Sequence, residues 1–299
     1  MLQLKTAGFK ALENLRSSGY FPAGFHNMDE LNLKADEAVA RFLDDRFAVS
    51  QDLGGFFGLL ELLDTAIRTS DNERMDKPNL PESERLELVQ ALDRQNVMMQ
   101  LYHRYIDTLL PFINEVAEHT KREVRVLELA SGSGGLAFAL GETAQKNNLH
   151  VRITASDIVP AFIEEGNRTA AKKKLPVSFR LINAFDMNEL EMSEFDIVVM
   201  AQSLHHFTPG QLAVIIAQSG NKGVTAFIGI DGYRSMLLAG GVPLIASLQG
   251  IESFTLDGLT SARKFYSELE LDIIAEIATG RRGHTVECSW PLSVLTVRF

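Results

Sequence analysis

The chain has 299 residues, 45% hydrophobic and 23% charged, a balance that can build a full core and excludes a disordered or fibrous chain. Its net charge of −10 argues against a general affinity for nucleic acid or for an anionic membrane surface. The one cysteine, Cys288, closes no internal disulfide and forms no thiolate metal cluster, and no apolar run is long enough to span a membrane. The N-terminal stretch lacks the unbroken apolar core of a signal peptide, so a reducing, cytoplasmic setting is the expectation.

The first ~120 residues have a helical pattern. Phe9, Leu12 and Leu15 fall on one face of a segment that stops near Gly19. Asn27 and Glu30 are spaced as a capping box ahead of a helix through Leu33, Ala38, Val39 and Phe42. Gly54, Gly55 and Gly58 introduce a third helical patch, Leu59 to Ile67, and suit close helix packing. Residues 69–80 are polar and read as a loop. Pro81 fits a first helical position, and the pattern then runs to about Lys121, with Pro111 as a break or kink. Tyr102, His103 and Tyr105 lie on this long helix just before the most informative stretch, and are candidate substrate contacts.

That stretch is Val124–Leu140: a short apolar strand, a turn holding Gly132, Gly134 and Gly135, and the start of a helix. The free N–H groups of the helix face the turn and make it a nucleotide-binding corner. Strands and helices alternate from there, the signature of a parallel α/β sheet. The second strand, Val151–Ser156, ends at Asp157, whose carboxylate can accept from two vicinal ribose hydroxyls. Pro160 opens a helix that closes on Lys172, Lys173 and Lys174. Val177–Ile182 is a third strand. Phe195–Ala201 is a fourth, followed by Gln202-Ser-Leu-His205-His206-Phe207, with Thr208 and Gln211 capping the next helix. Val224–Ile230 is a fifth strand, ending at Asp231. Gly232–Thr260 is less regular and Thr260–Leu269 reads as helix. Leu271–Ile277 and Pro291–Phe299 read as a sixth and a seventh strand, turned about Gly280 and Gly283 into an antiparallel hairpin.

Gly132 to Ala137 also fits the dinucleotide pattern G-x-G-x-x-A, but a carboxylate at Glu128 would repel a pyrophosphate and suits a cation. Glu128-x-Ala130-x-Gly132-x-Gly134 resembles the first motif of class I S-adenosylmethionine (SAM)-dependent methyltransferases, with Ala130 where a glycine is common. Phe195-Asp196 with Leu204-His205-His206-Phe207, Glu73-x-Met75-Asp76 and Asp257-Gly258…Ser261 resemble the small-molecule subgroup. The resemblance covers residues ~69 to 299. It implies a Rossmann-like doubly wound α/β sheet closed by a C-terminal antiparallel hairpin strand. It divides the chain into a helical N-terminal cap or lid (1–120) and a SAM-binding domain (121–299).

The same resemblance implies SAM as cofactor and S-adenosylhomocysteine (SAH) as product. The cofactor would be held by Glu128, Ala130, Ser131, Gly132 and Gly134, by Asp157 and Ile158, by Asn183, Ala184 and Phe185, and by Gln202. His206, with His205 beside it, is the candidate general base at the mouth of the cleft. No spacing of His, Cys and carboxylates along the chain suggests a metal site. The acceptor expected is a small or medium hydrophobic molecule, a phenol, quinol or natural-product scaffold, roofed by the N-terminal helices, with a homodimer possible. An NAD(P)-linked oxidoreductase and a non-catalytic SAM-binding scaffold are the alternatives.

Overall fold

The computed structural model describes residues 2–19, 21 and 24–299. Among them, eleven α-helices surround a sheet of seven strands. The N-terminal helices are α1 (Leu2–Ser17), α2 (Met28–Leu53) and α3 (Phe56–Ile67). After a loop come α4 (Glu82–Met98) and α5 (Leu101–Thr120). The α/β part then runs β1 (Val124–Glu128), α6 (Gly135–Asn147), β2 (Val151–Asp157), α7 (Pro160–Lys173), β3 (Val177–Leu181), β4 (Ile197–Ala201), α8 (Pro209–Asn221) and β5 (Ala226–Gly232). Helices α9 (Met236–Ser247), α10 (Glu252–Lys264) and α11 (Glu268–Thr279) follow, and then the strands β6 (His284–Ser289) and β7 (Leu292–Arg298).

The strand order is β3-β2-β1-β4-β5-β7-β6, with β1 to β5 parallel and β7 antiparallel to both β5 and β6. The order reverses between β1 and β4, and such reversals open a crevice at the carboxyl ends of the strands. Strand alternation sends Leu127 and Val198 to one face and Val126 and Val199 to the other. The first face packs on α1, α2, α8 and α11, the second on α5, α6 and α7. Helices α1 and α2 are thus part of the main core: Leu12, Leu31, Ala38 and Phe42 are buried with Leu212, Ile215 and Ile274.

Several sequence expectations change here. Leu271–Ile277 is helix, not strand. Ser267 and Glu270 form a reciprocal capping box at the start of α11, Gly280 ends it in a left-handed conformation, and its isoleucines serve the helix's buried face. The C-terminal hairpin does exist, but it joins His284–Ser289 to Leu292–Arg298 and turns at Trp290-Pro291. The irregular stretch after Gly232 holds α9 and α10. The long helix after Pro81 breaks at Met99 and Gln100, where Gln100 has φ 54°, while Pro111 lies inside α5. Asn27 caps α2 by accepting from the Glu30 N–H, but Glu30 returns its carboxylate to the His26 N–H, so the box is not reciprocal. At Thr208 and Gln211 both halves of the box are present.

Candidate active site

The corner after β1 has the expected backbone. Gly132 and Gly134 have φ of 54° and 80°, and Ala130 also lies in the left-handed region at 51°. A Cβ on Gly134 would collide with the Phe179 ring. One on Gly135 would collide with the Tyr102 hydroxyl and the Asp93 carboxylate, because α4 and α5 sit directly over the loop. The contacts behind that closeness are specific. Asp93 accepts from the Ser133 hydroxyl with one oxygen and from the Tyr102 hydroxyl with the other. Asn96 Nδ2 donates to Gln202 Oε1 at 2.7 Å, joining α4 to the end of β4.

Glu128, at the end of β1, is 4% exposed, and its Oε2 has no hydrogen-bond partner. Burial pushes its carboxyl up to about 8; the Ala137 N–H pulls the other way, and Asp93 and Asp157 add to the rise. A buried acceptor without a donor is costly, and a ligand cation would supply what is missing.

Asp157 Oδ2 accepts from the Gly132 N–H at 2.9 Å, and Oδ1 from the Val159 N–H at 3.0 Å. Each oxygen keeps a second lone pair for a ribose hydroxyl. Burial raises this carboxyl as well. Ile158 is 67% exposed and free to cover an adenine face. Asn183 Oδ1 already accepts from the Phe185 N–H at 3.0 Å, so only its remaining lone pair is open to an adenine amino group. Ala184 is buried, whereas Phe185 is 39% exposed and edge-on to Phe207, with ring centroids 5.2 Å apart. Phe185 therefore offers a partly open ring and is not a core residue.

Beyond Gln202 lies a cavity with about 860 Å³ of empty space, part of it open to solvent. Its walls are apolar: Leu92 of α4, Leu238, Val242 and Ile245 of α9, Phe254 of α10, and Phe265. Gly258 lets α9 and α10 approach, since a Cβ there would come within 3.3 Å of Ala246 Cβ. Pro291 and Leu292 complete the rim, on a hairpin turn held by Arg104 of α5, which donates to the Trp290 carbonyl at 3.0 Å.

The floor of this cavity is polar. His205 and His206 lie on a single 3₁₀ turn, Leu204–His206, directly after β4. His205 is buried. Its Nδ1 is 2.8 Å from Asp231 Oδ2, and its Nε2 is 3.2 Å from Glu73 Oε1 without the alignment of a hydrogen bond. His206 Nδ1 is 2.8 Å from Asp76 Oδ2, and its Nε2 is 3.8 Å from Glu73 Oε2. Burial opposes charge on His205, but Asp231 and then Glu73 outweigh it and raise the imidazole to about 10. Burial likewise opposes charge on Glu73, and His206 and His205 outweigh it, holding the carboxyl down at about 2. The backbone N–H groups of Arg74 and Met75 donate to Asp257 of α10, at 2.6 and 3.2 Å, and this fixes the segment that carries Glu73 and Asp76. The four sequence patterns around residues 73, 205, 231 and 257 are thus one site in space.

Three substrate candidates are corrected. Tyr105 is in the core, 1% exposed, and His103 faces outward from α5. Tyr102 is held by Asp93 over the glycine corner. None of the three lines the cavity among its described residues. Helices α1 to α3 do not line it either: the roof is α4 with the segment before it, and the wall is α9 and α10. Sequence reasoning missed Glu73, Gln95, Asp231 and the α9–α10 wall as parts of one pocket. The signal available was the family-like patterns at residues 73–76 and 257–261, each far along the chain from the histidines.

Residues 126–221 match a family model described as a methyltransferase domain. Over 151 residues, half of this chain, it is 24% identical to the non-reducing polyketide synthase dbaI of Emericella nidulans, of whose length it spans 6%. Among solved structures it resembles the plantazolicin methyltransferase BpumL in complex with SAH, with a TM-score of 0.51 and 10% identity over 72% of this chain and 90% of that one. It also resembles the plantazolicin methyltransferase BamL in complex with a triazolic desmethylPZN analog and SAH, with a TM-score of 0.50 and 16% identity over 69% and 71%. The strand order, the glycine corner and the domain match agree: this chain has the class I SAM-dependent methyltransferase fold, with a methyltransferase domain over residues 126–221.

Proposed function

We propose that the protein transfers a methyl group from SAM to a small or medium hydrophobic acceptor, a phenol, quinol or natural-product scaffold. The observation that carries this reading is the apolar cavity with a histidine–carboxylate floor, set against the glycine corner at Gln202. When bound, SAM supplies a methyl group on a sulfonium and leaves as SAH. The unpartnered Oε2 of Glu128 fits the ammonium of its amino-acid end, and the remaining acceptor capacity of Asp157 fits the ribose. Ser131, Gly132 and Gly134 let the backbone approach; Ile158, Ala184 and Phe185 border the adenine. An NAD(P) pyrophosphate would face Glu128, Asp93 and Asp157 together, three carboxylates around one corner. The natural-product reading is supported by the polyketide synthase segment this chain is similar to.

The histidine–carboxylate cluster faces the acceptor and activates it. In-line transfer depends mostly on alignment, which the cavity walls provide, and on removing a proton if the acceptor carries one. In this reading the cap over the site is α4 with the segment before it, while α1 and α2 belong to the core of the SAM-binding domain, and the protein works in the cytoplasm without nucleic acid. No helix among the described residues is long and apolar enough to cross a membrane. The exposed apolar face of α3, with Phe56, Leu59, Leu62 and Leu63, supports a homodimer.

Calorimetry with SAM, SAH and NAD in parallel tests the cofactor: SAM and SAH bind and NAD does not. A panel of phenolic and polyketide-like acceptors with a mass readout tests the transfer. NAD binding without SAM binding would overturn the reading. SAM binding with no turnover on any acceptor would favour the scaffold.

A further inference from the structure

We propose that Glu73, His205 and His206 form a two-histidine, one-carboxylate site for a divalent transition-metal ion on the floor of the acceptor cavity. The role given to that ion rests on the methyl-transfer reading above. The site itself rests on the convergence of three ligand-type side chains and on two buried atoms left without partners.

An ionised carboxylate only accepts, so a ring nitrogen facing one carries the hydrogen. Asp231 faces Nδ1 of His205 and Asp76 faces Nδ1 of His206, each at 2.8 Å. With those hydrogens on the Nδ1 atoms, both rings turn Nε2 toward the Glu73 carboxylate, and a metal ion that displaces a proton there would find an Nε2 lone pair on each. Three ligand-type atoms converge, all within 4.8 Å of one another, and His205 Nε2 and Glu73 Oε1 are buried with no hydrogen-bond partner. A cation bound there would replace the Nε2 proton as the positive partner of Glu73. A single proton can bridge one pair but not all three. A cation about 2.0–2.2 Å from each donor requires donors roughly 3 to 3.5 Å apart; His205 Nε2 is 3.2 Å from Glu73 Oε1 and His206 Nε2 is 3.8 Å from Glu73 Oε2, so a small side-chain adjustment would close the set on an ion.

The outer partners also match. A metal-binding histidine commonly donates its other ring N–H to a carboxylate, which fixes the tautomer and makes the ligating nitrogen more basic. Here both histidines do so. Imidazole donors select zinc, iron and their neighbours over magnesium or calcium. Three protein ligands leave at least one position open, and the cluster lines the cavity.

The reaction then balances as follows. An acceptor hydroxyl ligated at the open position is acidified and releases its proton to water. Its oxygen lone pair forms the new C–O bond as the C–S bond breaks. The sulfur keeps that electron pair and loses its positive charge. The products are the methylated acceptor, SAH and one proton.

The test uses the full chain, stripped with a chelator and then titrated with Zn²⁺ and with Co²⁺. Elemental analysis should find about one ion per chain, and Co²⁺ should give visible ligand-field bands. Glu73→Gln and the more exposed His206→Gln should each weaken uptake by roughly 100-fold or more, and Asp76→Asn by about 10- to 100-fold. Unchanged SAM affinity in each variant reports an intact fold. Failure of the stripped wild-type chain to take up Zn²⁺ or Co²⁺ at micromolar concentration would overturn the site, as would variants that bind as tightly as wild type. Full turnover by the stripped protein would end the metal's role and leave methyl transfer standing. Metal uptake without SAM binding would leave the site standing and end the methyl-transfer reading.

Discussion

The molecule buries two clusters of charged side chains, and they are built on opposite principles. The first joins α2 and α3 to α11 and to the segment after β5. Arg46, Arg68 and Arg234 face Glu61, Asp64 and Glu270, three cations against three anions. Their polar atoms are matched: Asp64 alone meets all three guanidinium groups, and no atom of these six residues is an unpartnered buried one. The second cluster, under the apolar cavity, has Glu73, Asp76 and Asp231 around two histidines, and two of its converging atoms, Glu73 Oε1 and His205 Nε2, lack partners. Of the twelve unpartnered buried side-chain atoms among the described residues, those of Glu73, Gln95, Asn96, Glu128, Ser131, Ser203 and His205 lie at the cavity or the glycine corner. A cluster that closes on itself holds helices together; one left open is shaped for something that arrives later.

This contrast breaks if substitutions in the two clusters have the same consequences. The largest expected effect is on turnover. His206→Ala should lower it by about 10²–10⁴ with little change in SAM affinity or melting temperature, and by less for acceptors already ionised at assay pH. A variant that only melts earlier would make His206 structural. Next is Asp64→Ala, which strands buried guanidinium groups and should cost about 3–5 kcal/mol of stability, while turnover per folded molecule is unchanged. A denaturation curve together with a rate corrected for the folded fraction separates the two, and a stable but inactive variant would erase the distinction.

Glu128 sharpens the contrast through pH. Its native carboxyl stands near 8 against an ordinary 4.5, so between those values the native state holds a proton that the unfolded state has lost. Its contribution to stability therefore falls as pH rises from about 4.5 to about 8. A bound cation favours the ionised form, so SAM binding at pH 7 should release about one proton, read from binding enthalpies in two buffers of different ionisation heat. Zero release would mean that Glu128 does not meet the ligand's charge. The smallest effect belongs to Ala130, whose left-handed backbone strains any side chain. Ala130→Gly should add about 1 kcal/mol, and a lowered denaturant midpoint would show that the methyl group packs usefully.

What the chain discloses by reading follows from how local each feature is. The glycine corner, the five parallel strands and the Thr208 cap are encoded within a few neighbouring residues, and the structure has them. Leu271–Ile277 misled because its isoleucines favour strands, while the overriding signal, Ser267 with Glu270, stood just upstream. The N-terminal helices were expected to roof the pocket; α1 and α2 are instead core, so removing residues before Thr69 would strip packing from α8 and α11 and not merely open a lid. The meeting of Glu73, His205 and Asp231 is long-range, created by the sheet and α10, and no local spacing encodes it.

The hairpin turn at the cavity rim has an optical consequence. Trp290 is the chain's single tryptophan, 59% exposed and next to Pro291, which lines the cavity. Native tryptophan emission therefore comes from one place, the rim of the cavity proposed to take the acceptor. An acceptor that seats against Pro291 and Leu292 should shift or quench that emission, whereas SAM, on the far side of Gln202, should leave it nearly unaltered. The fold thus carries its own fluorophore beside the cavity, able to follow its occupancy in real time with no label and no engineered residue.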